Sequence, residues 1–468
     1  MVSTENQYQS IFNRLKQNQF TIAKSTYTDR ISKLKKLEKA IGFTYRESIK
    51  DVLFQDFRKP GIEVDISEIY PIVSEIRHIR KNLKNWLQAQ KMPTPLALLG
   101  ATSELRVEPK GVCLIISPWN FPFNLSFMPL CSAVAAGNTV VIKPSEYTKH
   151  SSSLIKKIVQ EIFDDDEVTV IEGEAETAIE LLKLPFNHIF FTGSPQTGKK
   201  VMAAAATNLA DITLELGGKS PVIVDQNASI KSMAKRLVWG KYSNAGQICI
   251  APDYVLVHEK IQGELLNACL EEIQKMYDTQ SPDGNLSSIV NTAHFQRLKE
   301  LLENSVSQGA RPVNPLQFES DKNRIFPVLL ADVNIENPIM SQEIFGPILP
   351  FIPFANVGEA IEIINKMEKP LALYIYSKNR GFIENIIQNT RSGATVINHN
   401  EIHFYNNHLP FGGVNNSGIG KSHGIYGFME FSNYRPVMKQ QFSGPLELLA
   451  PPYTSWKQKM MDIVIRWL

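Results

Sequence analysis

Beyond Gly111 the chain alternates short β-branched runs with helical stretches, and this alternation limits the possible folds more than any other feature. Residues 111–116, 139–143, 168–171, 188–191 and 212–216 read as strands; 124–136, 148–163, 175–184 and 196–209 read as the helices between them. Strands and helices at this spacing predict a parallel sheet whose crossover helices cover its faces. Ligands of such sheets bind at the carboxyl ends of the strands, so the loops that follow these runs are where chemistry is sought. After Pro221 a second series begins, with strands near 222–224, 254–257, 349–354, 373–376 and 394–398, and predicts a second α/β unit.

The flanking segments read differently. Residues 7 to about 90 are rich in Lys, Glu, Gln, Leu and Ile, with apolar positions at helical intervals such as Ile31, Leu34, Leu37 and Ile41. Gly and Pro meet there only at Pro60-Gly61, so two long helices with a structural duty are expected. Residues 94–109 and the stretch from about Ser432 lie outside both series and are expected to pair with other subunits. Neither a solenoid-like repeat nor a low-complexity tract is present.

With 468 residues the chain is long enough for two or three cores. Lys and Arg total 49 against 47 acids, and a net charge of +2 gives no reason to expect a nucleic-acid partner. The four cysteines, Cys113, Cys131, Cys249 and Cys269, form no CxxC pair, which fits a reducing compartment. The start lacks the basic and apolar runs of a signal peptide, and no apolar stretch reaches the roughly 18 residues of a spanning helix. A cytoplasmic protein is expected.

Two fragments carry the chemistry: Leu214-Glu215-Leu216-Gly217-Gly218-Lys219 and Gly246-Gln247-Ile248-Cys249. A thiol can attack a carbonyl to give a thioester, and a carboxylate can then activate water to release the acid. A lone cysteine is more often a small buried hydrophobe. Cys249, however, sits in a loop of small and polar residues, whereas Cys113 falls in a strand and Cys131 and Cys269 in helices. Glu215 ends an apolar strand, so it either reaches a cleft with a raised pKa or faces solvent from an edge. Asn120, in Trp119-Asn120-Phe121-Pro122, could donate to an oxyanion or cap the helix that begins near Asn124. Phe191-Thr192-Gly193-Ser194 runs from strand to helix, where backbone amides hold a phosphate or make an ordinary turn. His399, Glu401 and His403 lack the zincin spacing, so no metal is expected.

Taken in order, these fragments with Lys143-Pro144-Ser145-Glu146 and Glu343-Ile344-Phe345-Gly346-Pro347 make the sequence closely resemble the aldehyde dehydrogenase superfamily over roughly residues 5–450. The short N-terminal region and the stretch from Leu409 to Gly427 resemble its class 3 and fatty-aldehyde branch. The resemblance implies an α/β fold of two parallel-sheet domains, one Rossmann-like for the cofactor and one catalytic, with a small oligomerisation β-extension. The corresponding division is 1–90 with 110–217 for the cofactor, 218–428 for catalysis, 91–109 with 429–450 as bridging segments, and 451–468 as a terminal helix.

The resemblance also implies that Cys249 is the nucleophile, that Asn120 and the Cys249 amide form the oxyanion hole, and that Glu215 is the base for deacylation. Lys143 and Glu146 would hold the adenosine ribose, Gly193 and Ser194 would lie by the pyrophosphate, and Glu343 with Phe345 would place the nicotinamide ribose, with Trp119 beside the cofactor. Glu146 would bond ribose hydroxyls and repel a 2′-phosphate, so NAD is expected ahead of NADP, which Lys143 could tolerate. Ile248 stands where Thr is frequent, and Asn415 replaces a usual Gly at a position Asn can hold with left-handed backbone.

The expected reaction is NAD(P)+-dependent oxidation of an uncharged aliphatic or aromatic aldehyde to its acid. A CoA-acylating enzyme is the alternative, against which Glu215 argues, and a catalytically silent protein of the same fold is the second. Trp239, Tyr242 and Phe404, with Trp119 and Phe121, are expected to line an apolar entry. A homodimer is expected. The segment 453–468, with Trp456, Met460, Ile463, Val464 and Trp467 on one face, is expected to form a helix packed on the body or a neighbouring subunit. Contact with a membrane surface and a cover over the substrate funnel are the other readings of that helix.

Overall fold

The computed structural model describes residues 7–277 and 285–467. Both expected parallel sheets form. The first orders its strands Gly418–Ile419, Asp211–Leu216, His188–Gly193, Val112–Ile116, Thr139–Lys143 and Val168–Val170; all neighbours are parallel except the first pair. Val112–Ile116 and Thr139–Lys143 are buried along their whole length, as strands covered on both faces must be. The second sheet runs Arg311–Pro312, Val328–Ala331, Ile348–Phe354, Tyr254–His258, Pro221–Val224, Ala372–Tyr376 and Ala394–Ile397.

Three of these strands are absent from the sequence reading. Val328–Ala331 is four residues long, and a short apolar run cannot be told from a helical or loop segment by periodicity. Arg311–Pro312 and Gly418–Ile419 have two residues each and exist only through their partners. Gly418–Ile419 matters most, because it pairs Gly418 with Glu215 and closes the edge on which that carboxyl would otherwise face water.

A third, antiparallel sheet joins Gln90–Met92, Ala101–Pro109 and Ser432–Gln440, the last two in continuous register from Ala101 with Gln440 to Pro109 with Ser432. These are the two segments that the sequence places outside the α/β series.

The N-terminal region corrects the expectation of two long helices. It contains Gln7–Ala23, Tyr27–Lys39, Arg46–Phe57, Gly61–Val64 and Tyr70–Trp86, with π-helical turns at Ala40–Thr44 and Asp65–Ile69. Thr26 starts the second helix through a capping box with Asp29. Arg58 ends the third in a left-handed conformation, φ 55°. The apolar stripe Ile72, Ile76, Ile79 and Leu83 buries the last of them against the helix Asn124–Ala136.

The terminal helix Ser455–Trp467 forms where expected, but packing on its own body does not: none of its described side chains is buried, and Ile465 is 76% exposed. Among the described residues no helix is long and apolar enough to cross a membrane.

Candidate active site

The helix Ile230–Tyr242 runs into a tight turn, Ser243–Gly246, that delivers Cys249. Asn244, Ala245 and Gly246 all have positive φ, 51°, 53° and 73°. At Gly246 a side chain is also sterically excluded, since a Cβ would run into the Gly346 carbonyl. Cys249 is half-buried, whereas Cys113, Cys131 and Cys269 are buried in strand or helix, as the sequence predicts. Burial raises the Cys249 thiol well above its ordinary pKa, and the nearby carboxyls of Glu343 and Glu215 add to the shift. The thiol must therefore lose its proton before it can attack.

Glu215 is buried at the end of Asp211–Leu216. Its Oε1 accepts a hydrogen bond of 3.0 Å from the Ser422 hydroxyl, and its Oε2 has no partner. Burial pushes its carboxyl up to about 8, opposed by the Ser422 hydrogen bond and the charge of Lys421. A carboxyl with that pKa is poised to exchange protons near neutrality.

Asn120 is 3% exposed, and its Nδ2 donates to the Gln247 carbonyl at 3.0 Å, two residues before Cys249. The capping alternative does not form: the helix Asn124–Ala136 is preceded by Phe123 and has no side-chain cap. The Asn244 amide joins both segments, donating to the Asn120 carbonyl at 3.1 Å and to the Gln247 carbonyl at 3.2 Å.

Cys249 and Glu215 line one cavity of about 420 Å³. Phe121, Ile248 and Phe404 are on its walls, and Trp239, 48% exposed, is also on its lining. Phe404 meets Phe411 edge-on at 5.0 Å. Tyr242 does not line it. Its ring is fully buried in the core of the second sheet, where its hydroxyl donates to the Val328 carbonyl at 3.1 Å. Trp119 also lies off the cavity, packed against Phe345 and His294 with ring centroids 5.4 and 5.3 Å away.

The expected cofactor residues gather at the carboxyl edge of the first sheet. Lys143 ends its strand with Nζ 2.6 Å from Glu146 Oε2, and Gly193 ends another. Ser194 caps the helix Pro195–Thr207, its side chain accepting from the Thr197 amide. Glu343 accepts from the Gly218 amide, and burial, with Asp253 next, pushes its carboxyl up to about 8. A Cβ on Gly217 would occupy the position of the Glu343 carboxyl. Phe345 is held at φ 50°, and Asn415 shows the left-handed backbone its sequence context predicts, φ 56°. A glycine-opened shelf, a helix N-terminus and a carboxyl beside them suit a dinucleotide.

Of His399, Glu401 and His403, only Glu401 lines the cavity, while His403 stacks on Phe411 at 5.7 Å. Among the described residues no three His, Cys, Asp or Glu side chains form a metal-holding group. Sequence reasoning missed Glu63, Glu68, Glu75 and Ser422, which touch the catalytic segments. The available signal was two acids, Glu68 and Glu75, seven residues apart on the apolar stripe of one helical segment.

A doubly wound sheet beside a cavity lined by a thiol and a carboxyl, with the Asn120 amide tethered to the Gln247 carbonyl next to the thiol's loop, is an arrangement that suits a nucleotide-dependent oxidoreductase. The model of the aldehyde dehydrogenase family matches residues 1–437. The chain belongs to that family, and is thereby an NAD(P)-dependent oxidoreductase acting on aldehydes. It is 42% identical over 427 residues to 4,4'-diaponeurosporen-aldehyde dehydrogenase of Staphylococcus aureus, covering 91% of this chain and 92% of that one. With aldehyde dehydrogenase family 3 member A2 of Pongo abelii it shares 39% over 433 residues, 91% of this chain and 88% of that one. The solved substrate-bound state of Staphylococcus aureus AldH superposes with a TM-score of 0.93 at 39% identity, covering 98% of this chain and all of that one.

Proposed function

We propose that this protein oxidises uncharged aldehydes to carboxylic acids through a covalent Cys249 intermediate hydrolysed with the help of Glu215. The observation that carries the reading is that thiol and carboxyl line one largely apolar cavity, with the carboxyl raised to about 8. Cys249, its thiol proton released to water, attacks the aldehyde carbon. The Asn120 side-chain amide and the Cys249 main-chain amide donate to the oxygen that gains charge, giving a thiohemiacetal. NAD(P)+, when bound, would supply the hydride acceptor needed to oxidise this adduct to a thioester. Glu215, deprotonated, then draws a proton from water as the water attacks the thioester carbon and passes it to the departing Cys249 thiolate, so that the acid leaves and the thiol is restored.

Lys143 and Glu146 would hold the adenosine ribose, Gly193 and Ser194 the pyrophosphate, and Glu343 with Phe345 the nicotinamide ribose, with Trp119 beside the cofactor. NAD+ is favoured over NADP+ because the Glu146 carboxyl, paired with Lys143, would meet a 2′-phosphate with repulsion. Trp239 and Phe404 guide the substrate. Residues 1–90 and 110–217 serve the cofactor and 218–428 catalysis. A homodimer joined through the antiparallel sheet of 91–109 and 429–450, in the cytoplasm, completes the reading.

Assaying straight-chain aldehydes with NAD+ or NADP+, with and without CoA, tests it. The expected products are free acid and NADH in equal amounts whether or not CoA is present. Acyl-CoA formed faster than free acid would contradict the hydrolytic role of Glu215. Comparable kcat/KM with NADP+ would contradict the cofactor preference.

A further inference from the structure

The segment Gly61–Trp86 carries three carboxylates inside the fold, and each accepts a main-chain N–H from a different piece of the active site. Glu63 Oε1 accepts the Asn244 amide at 2.6 Å, in the turn that delivers Cys249. Glu68 Oε2 accepts the Asn124 amide at 2.8 Å, four residues after Asn120. Glu75 Oε1 accepts the Gly424 amide at 2.7 Å, two residues after the Ser422 that donates to Glu215. Glu68 is fully buried and also pairs with the fully buried Lys59 at 3.4 Å, whose ammonium sits 4.0 Å from the centre of the Phe121 ring.

These contacts are costly if they serve packing alone. A carboxyl taken out of water is destabilising unless its oxygens are satisfied, and Glu75 Oε2 has no partner at all. Apolar residues on the same stripe would bury the helix more cheaply. What an apolar side chain could not do is accept an N–H and so fix a loop along a defined direction.

We infer that Glu63, Glu68 and Glu75 are positioning residues: one helical segment sets the nucleophile turn, the oxyanion-donor loop and the segment supporting Glu215 in mutual register. This rests on the catalytic roles proposed above, and it converts the N-terminal helices from packing elements into part of the catalytic frame. Each carboxylate governs a different group, so each has its own kinetic signature. Withdrawing Glu63 or Glu68 disturbs Cys249 or Asn120 and slows acylation and hydride transfer. Withdrawing Glu75 disturbs Ser422 and Glu215 and slows thioester hydrolysis.

The test is pre-steady-state NADH formation by full-length Glu68→Asp, Glu75→Asp and Glu75→Gln enzymes, each normalised to its cofactor-binding fraction. Asp keeps the charge but draws the acceptor back by one methylene; Gln keeps the acceptor in place. Small misplacements of catalytic groups cost up to about 100-fold, so a loss of roughly tenfold is expected in the affected step. Glu68→Asp should slow the NADH burst. Glu75→Asp should keep the burst rate and slow the steady state, with Glu75→Gln within about threefold of the parent enzyme on the same scale. Equal slowing of burst and steady state in both Asp variants, or parental rates in both, would overturn the inference. Absence of any aldehyde-dependent NADH from the unsubstituted enzyme would instead defeat the proposed function.

Discussion

At the scale of single residues, the account turns on Glu215, which was legible in the sequence as a charge in an apolar strand. Its alternative, an outward-facing edge residue, was equally consistent with the pattern, because the covering pair Gly418–Ile419 comes from more than 200 residues away and has no periodicity of its own. Tyr242 was misread for the opposite reason. Composition marks an aromatic near the nucleophile, but only helix rotation decides that it points into the core. Glu215 also makes a stability prediction. Its folded pKa of about 8 lies above the ordinary 4.5, so between these values the native chain holds a proton that the unfolded chain has released. Stability from this group is therefore lost as pH rises from about 4.5 through about 8. Glu215→Gln removes that penalty, on the order of a few kcal/mol for a fully buried carboxyl. Thermal midpoints should accordingly show the variant gaining on the parent between pH 6 and pH 9, and a constant gap would contradict the buried, protonated carboxyl. Steady-state turnover of the parent should rise with pH through the same region, because the base must be ionised.

At the scale of elements, the first sheet was readable nearly strand for strand, since β-branched runs between helical stretches leave one sensible arrangement. The N-terminal region was not. A capping box at Thr26 and π-helical turns break what hydrophobic spacing alone presents as continuous helix. The three acids that face inward from it look, in sequence, like the solvated side of a charged arm. The terminal segment forms the helix that its stripe predicts, and of the expected packing on the body or on a neighbouring subunit, the unburied side chains speak against the body. Because its described side chains are unburied, a version ending at Pro452 should unfold at the same temperature as the full chain and sediment in the same oligomeric state, a dimer under the proposed function. A lower midpoint or a monomer would show that this helix packs on the partner subunit and supports the assembly.

At the scale of the whole molecule, residues from the first sheet, from the second α/β unit and from the N-terminal helical segment line one cavity, which the proposed function assigns to the aldehyde. The first sheet brings Glu215, Lys143 and Gly193, and the helix Ile230–Tyr242, which connects two strands of the second sheet, leads into the turn that brings Cys249. Asn120 is tied to the nucleophile loop by hydrogen bonds, and Glu63 and Glu68 tie both to the N-terminal helices. The buried carboxyls that the proposed chemistry uses are also groups whose burial costs the fold stability. The central claim is a thioester on Cys249 that Glu215 releases, and the most direct measurement is intact-protein and peptide mass spectrometry of Glu215→Gln after mixing with an aliphatic aldehyde and NAD+. The prediction is a stoichiometric acyl adduct on the peptide containing Cys249, with one NADH per enzyme and a steady state slowed by about 10²- to 10⁴-fold. An unmodified Cys249, or turnover at the parental rate, would contradict it.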